Sequence, residues 1–427
     1  MEGKRTFWRA ALGAGLLAGG LAVAFHAGLD AALAERERLT AWARPLGPTG
    51  AVLLMSVCGA AVGLAVWLTG RLAPQAAGSG IQHVEGVVRG LFPIWPLSIV
   101  VVKFVGGILG IGGGLVLGRE GPTVQMGASF AHRLALRLGL SDADRRILLA
   151  VGAGAGLTGA FNAPLAGTLF VVEELKCPFQ PAIYLGTLLA SVVTDVCVRY
   201  CLGPVADLAL PGQILAPPLF DLVPVMLVGV LGGVLGALFN ASLMTTFTVV
   251  DRWKERVPSL ALGLALGAVL GGVAWFVPAL PGGGVTFASR VLDGDIATTT
   301  VGWLLPLSFV LTIASYTIGA PGGIFAPLLV IGAALGLAVH GGWHAAFPSR
   351  AGSMPVFAAA GMASLFAGIV RSPFTGAVLL VEMTGSYALV LPLVAASLVA
   401  HAVAGATGSR PIYESLLDRE LERQRGS

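Results

Sequence analysis

Arg119 and Glu120 are the only ionisable residues in a glycine-rich apolar run from Gly106 to Ala131. An ionised side chain at membrane depth is unfavourable by about 3 kcal/mol or more, and chains keep one where an ion or proton must pass. The surrounding motif, Gly118-Arg119-Glu120-Gly121-Pro122, also has the composition of a helix start. Proline fits the first turn, where its missing N–H is not needed. Free N–H groups and the positive end of the helix dipole suit an anion or the glutamate carboxylate itself. Either can occupy such a place, which is what a gate requires.

The run belongs to a chain of 427 residues that is 56% hydrophobic and only 11% charged. Soluble domains carry about 25% charged residues, so this composition indicates an all-α polytopic membrane protein. Apolar segments run over 10–28, 51–69, 97–117, 147–172, 183–202, 219–242, 259–280, 301–319, 324–341, 355–381 and 388–407. Several contain Gly or Pro and fall short of the roughly 20 residues a spanning helix needs, so broken and tilted helices are expected. The 61 glycines favour close helix–helix approach. The whole chain, 1–427, reads as one transmembrane transport domain with a short charged tail over 414–427.

Function classes are excluded on the same residues. There is no basic stripe with interleaved aromatics for nucleic acid. The six histidines are scattered without His-Glu-x-x-His, and no nucleophile–base pair stands out, so the chain is expected to be no enzyme and to need no metal or cofactor. Cys58, Cys177, Cys197 and Cys201 read as small buried residues. Ala32-Leu33-Ala34 resembles a signal-peptide cleavage site, but the many apolar segments that follow favour a retained first helix. Lys4, Arg5 and Arg9 at one end, and Arg410, Arg419, Arg423 and Arg425 at the other, place both termini in the cytoplasm by the positive-inside rule.

An internal repeat divides the chain into halves of approximately 50–202 and 219–407. Gly152, Gly159, Pro164, Gly167 and Glu173 recur at one constant offset as Gly361, Gly368, Pro373, Gly376 and Glu382. Gly118 and Pro122 likewise recur as Gly323 and Pro327. Repeated halves with interrupted helices place a transport site at their interface. Three motifs offer polar groups there: Gly78-Ser79-Gly80-Ile81, Gly118 to Pro122, and Gly322 to Pro327. Three helix starts meeting at one point would replace the hydration shell of a small anion without a fixed positive charge that holds it too tightly.

These motifs, with Ala160 to Gly167, Glu382-Met383-Thr384 and Pro411-Ile412-Tyr413, closely resemble the CLC family of chloride channels and chloride/proton exchangers over about residues 50–415. The resemblance implies two halves of inverted topology and a homodimer in the lipid bilayer, with one pathway per subunit. It implies a chloride site built from Ser79, Gly80, Gly121, the amides of Ile324 and Phe325, and the hydroxyl of Tyr413. Glu120 would be the external gate and proton acceptor, competing for the outer anion position, with Arg119 in support. By residues alone Glu173 and Glu174 read as helix-end carboxylates in water; the resemblance makes Glu174 the internal proton relay, with Glu85 and Lys103 packed nearby. Gln82, His83 and Arg89 depart from the family pattern and are expected to bear on the water route to Glu174, not on the anion site. The implied activity is chloride/proton exchange in a bacterial inner membrane, since the cytoplasmic regulatory domains of eukaryotic relatives do not follow. A passive voltage- or pH-gated chloride channel is the alternative; a fluoride/proton antiporter and a non-transporting scaffold rank after it.

Overall fold

The computed structural model describes residues 2–203, 208, 218–278, 280–282, 288, 298–348 and 352–426. Ala279, in the apolar segment 259–280, and Ser427, at the end of the tail, lie outside the described residues. The described residues form sixteen α-helices: α1 (Glu2–Ala43), α2 (Pro48–Leu72), α3 (Ile81–Val88), α4 (Ser98–Gly112), α5 (Glu120–Arg137), α6 (Asp142–Phe161), α7 (Pro164–Glu173), α8 (Pro181–Leu202), α9 (Leu222–Lys254), α10 (Ser259–Phe276), α11 (Thr298–Thr317), α12 (Phe325–Ala346), α13 (Met354–Val370), α14 (Pro373–Thr384), α15 (Val390–Ala406) and α16 (Ile412–Gly426). Eight of the helical stretches are long and apolar enough to cross a membrane. The protein is an all-α, multi-pass membrane protein.

Two of the apolar segments each divide into a pair of helices. The run 147–172 breaks between α6 and α7, where Asn162 takes a left-handed conformation (φ 52°). The run 355–381 breaks between α13 and α14, where Arg371 does the same (φ 73°). Ala163 (φ −127°, ψ 79°) and Ser372 (φ −111°, ψ 76°) then precede Pro164 and Pro373. A residue before proline is kept out of the α region, so each proline ends one helix and opens the next. Asn162 and Arg371 stand at the same offset as the sequence repeat, and so do the starts of α8 and α15. The repeat is therefore structural.

The chain forms two compact units. The first comprises Met1–Pro204, Thr245–Gly284 and Leu311–Ala326. Its helices approach closely through glycine: a Cβ on Gly267 would lie 2.5 Å from the Cys58 carbonyl, and one on Gly263 would lie 2.9 Å from Gly63 Cα. Gly15 of α1 likewise faces Ala190 of α8, and Thr194 Oγ1 donates to Gly15 O at 2.9 Å. The first helix is thus packed into the unit. It also runs past the apolar segment, through Arg36, whose guanidinium donates to Gly112 O at 3.3 Å and Pro281 O at 2.7 Å.

The second unit comprises Val205–Met244, Val285–Val310 and Pro327–Ser427. In it Gly332 packs on Gly361, and Gly236 on Gly368. Asn240 Nδ2 donates to Ile369 O at 3.1 Å and Arg410 O at 3.0 Å. The charged tail is a helix, α16, because Ile412, Tyr413, Leu416 and Leu417 fall on one face and are all buried. Cysteine placement partly corrects the sequence reading. Cys58 and Cys177 are buried, but Cys197 is half-buried and Cys201 is exposed, in the last turn of α8.

Candidate functional site

The first unit brings three glycine-rich loops together by backbone pairing. Gly78 N donates to Ala320 O and Gly322 N to Gly78 O, both at 3.0 Å. Gly118 and Gly323 exchange two hydrogen bonds of 2.8 Å each. The loops before α3, α5 and α12 are thereby fixed to one another. The spacing is as tight as backbone allows. A Cβ on Gly121 would come within 2.5 Å of Ser79 Cα, and one on Gly323 would overlap the Glu120 carboxylate. Gly80 holds a left-handed conformation (φ 79°) at the start of α3, which a residue with a side chain adopts at a cost.

Glu120 is fully buried. It opens α5, and its carboxylate turns toward the start of α12, where Phe325 N donates to Oε1 at 2.7 Å. Ile324 and Phe325 are also fully buried, so this N-terminal turn sits in a dry, apolar setting where a charge–amide contact is strong. Arg119 turns elsewhere. Its Nε donates to Ala160 O at 2.9 Å, satisfying a carbonyl at the end of α6. Arg119 therefore ties the loop before α5 to the helix break at Asn162.

Ser79 is buried at the start of α3. Lys103, expected beside the proton relay, is tied to the loop just before Ser79. It is fully buried, and its Nζ donates to Gly78 O at 2.6 Å. Two contacts at Ser79 escaped the sequence reading. Tyr316, on α11, donates its hydroxyl to Ser79 Oγ at 3.2 Å. Gln82 accepts from Ser79 Oγ at 3.1 Å. The second joins Gln82, which departs from the family pattern and is expected to bear on the water route to Glu174, to the Ser79 hydroxyl. Its position one helical turn from Ser79 was the available signal. Tyr316 had none beyond being a tyrosine in an apolar span ahead of a glycine-rich loop.

Glu174 lies at the end of α7 and is 4% exposed. That degree of burial does not fit a carboxylate solvated at a helix end, which is how the residues alone read; its neighbour Glu173 is more open. On α3, Glu85 is buried and accepts from Arg89 at 2.9 Å, while Arg89 reaches partly into the open. The basic residue at position 89 thus compensates the buried acid one turn before it. His83 is buried, with its ring 6.0 Å from that of Phe92. A cavity of about 380 Å³ is lined by Val88, Arg146, Cys177 and Gln180. It lies three residues beyond Glu85 on one strand of sequence and three beyond Glu174 on the other. Tyr413 belongs to the second unit, buried in the first turn of α16.

Comparison with known proteins adds three findings. The sequence profile of the family described as voltage gated chloride channel matches residues 61–405. The chain is 37% identical over 381 residues to the H(+)/Cl(-) exchange transporter ClcA of Vibrio parahaemolyticus, covering 88% of this chain and 81% of that protein. It is 36% identical over 427 residues to the protein of the same name from Yersinia pseudotuberculosis, covering 96% and 87%. Among solved structures, a slow cyanobacterial Cl-/H+ antiporter superposes with a TM-score of 0.93 at 35% identity, covering 98% of this chain and 99% of that one.

Proposed function

Because this chain belongs to the voltage gated chloride channel family, we propose that it exchanges chloride for protons across a membrane through the three-loop site. One observation carries the reading: a buried glutamate takes its hydrogen bond from a helix N-terminal amide, Phe325 N, at 2.7 Å. An amide that binds a carboxylate oxygen can bind a chloride ion by the same charge–dipole attraction. Ionised Glu120 and chloride are therefore competitors for one set of donors. Protonation removes the charge from Glu120, the amides lose their hold on it, and an anion takes its place. Each cycle of that exchange moves a proton and an anion in opposite directions.

Ser79, with Gly80 and Gly121 setting its close approach, would hold the anion further along the path. Tyr413 would complete that position through its hydroxyl. Lys103 and Arg119 act as supports, since both bond to loop or helix-end carbonyls. Glu174 would carry protons from the cytoplasmic side, with Glu85 and the cavity at Cys177 beside that route. Its 4% exposure is what supports the relay over a solvated charge. The protein would work as a homodimer of inverted-repeat subunits, each with its own pathway, in a bacterial inner membrane with both termini in the cytoplasm. The arginines near each end supply the orientation argument.

Purified protein in liposomes tests the proposal. With the membrane potential clamped by potassium and valinomycin and no pH gradient imposed, an outward chloride gradient should drive protons inward, and a proton ionophore should abolish the resulting pH change. Chloride movement with no coupled protons would make the protein a passive channel. Movement of neither ion would reject transport.

A further inference from the structure

Gln82 is buried as the second residue of α3 and accepts a hydrogen bond from Ser79. Three groups converge on the Ser79 hydroxyl. Ile81 N donates to Oγ at 3.3 Å, the Tyr316 hydroxyl donates to it at 3.2 Å, and Oγ itself donates to Gln82 Oε1 at 3.1 Å. The Tyr316 oxygen also accepts from Ser79 N at 3.3 Å. Tyr316 is 2% exposed, and its ring packs edge-on to Phe247 with centroids 6.0 Å apart. The tyrosine hydroxyl is thus held in place by packing on one side and by the serine backbone on the other.

A serine hydroxyl has one proton and two lone pairs. Ile81 and Tyr316 occupy both lone pairs, and Gln82 Oε1 holds the proton. An anion at Ser79 needs that same proton, because only the O–H end of the group presents positive charge. The hydroxyl cannot serve both acceptors at once. We propose that Gln82 is a positioning residue of the anion site, which competes with the bound anion for the Ser79 proton and so lowers its affinity. This rests on the reading of Ser79 as a chloride ligand. The competition is local: it needs only the 3.1 Å contact and the valence of one oxygen. Tyr316 reinforces it, since a second donor on Oγ leaves the serine no spare lone pair with which to reorient.

The inference gives a sign that packing damage does not. Gln82→Met keeps the length of the side chain and removes the acceptor, and Gln82→Leu removes it with a shorter chain. Either should release the Ser79 proton to the anion and tighten chloride binding by about three- to ten-fold. Gln82→Glu keeps an acceptor in place permanently and should weaken binding by tenfold or more. Loss of packing alone would weaken binding in all three. The measurement is a calorimetric titration of sodium chloride into the purified full-length protein in detergent, with thermal unfolding of each variant alongside. Tighter binding in the Met or Leu variant supports the proposal. Unchanged or weaker binding in a folded Met or Leu variant overturns it while leaving the transport reading intact. Should neither apolar variant fold, the smaller Gln82→Ala removes the same acceptor: tighter binding there supports the proposal, and unchanged or weaker binding overturns it. A wild-type protein that binds no chloride would overturn the transport reading first, and this inference with it.

Discussion

The loops Gly118–Pro122 and Gly323–Pro327 share one backbone plan and differ in what they place on it. Both have glycine first and proline fifth, both open a helix at the third position, and they pair through two hydrogen bonds of 2.8 Å. In the first loop the third residue is Glu120, an acceptor. In the second it is Phe325, whose side chain is apolar and whose N–H is left to donate. Repetition of one element has produced a matched acceptor and donor, 2.7 Å apart. A gate of the proposed kind would need no cation to hold it shut. It would also leave donors in place for an anion when the carboxylate departs.

The largest test of that asymmetry removes the charge from the first loop. Glu120→Gln keeps the shape and cannot take up a proton, so proton movement should fall to background while chloride still crosses; paired chloride and pH recordings in liposomes read both. Chloride-driven proton pumping that survives the change would show that the gate is elsewhere. Glu174→Gln tests the supply of protons to that gate. It should also reduce proton flux to background, with chloride flux within about twofold of wild type, because the anion site does not use this side chain. A variant that pumps normally would move the relay to another carboxylate, with Glu173 and Glu85 next. Gly323→Ala attacks the second loop. Its Cβ would overlap the Glu120 carboxylate, and overpacking of this kind costs about 1–3 kcal/mol. Chloride flux should change by about tenfold with the protein still folded by thermal unfolding; a wild-type rate would mean the two loops are looser than their pairing implies. Tyr413→Ala is the smallest. It deletes one hydroxyl donor outside the paired loops, so chloride affinity by calorimetry should fall by about tenfold at most. Unchanged affinity would remove Tyr413 from the site.

The loops of the site were legible because each carries its own punctuation. Gly78, Gly118 and Gly323 precede polar or amide-rich helix starts, and proline marks the third position of two of those helices. What was less legible depended on contacts across the sequence. Hydropathy read 147–172 and 355–381 as continuous runs, since a change of chain direction at Asn162 or Arg371 leaves apolar content untouched. Pro164 and Pro373 held the signal, as residues that forbid helix just before them. The tail read as merely charged, though Ile412, Tyr413, Leu416 and Leu417 recur at helical spacing. Gln82 reads as a departure from the family pattern that bears on the water route, because a sequence does not say which way a side chain turns; its bond to Ser79 spans three residues. Lys103 and Tyr316 reach the site from α4 and α11, and no local pattern ties either to Ser79.

The central claim is that Glu120 and chloride compete for the same amides, so that chloride binding and Glu120 protonation favour one another. Binding linkage makes this directly measurable. Sodium chloride is added to weakly buffered, chloride-free protein in detergent, and proton uptake is followed with a pH indicator, with Glu120→Gln as the reference. The account predicts saturable proton uptake in the wild type, tracking chloride occupancy, and none above background in Glu120→Gln. Chloride binding with no proton uptake, or equal uptake in both proteins, would contradict it.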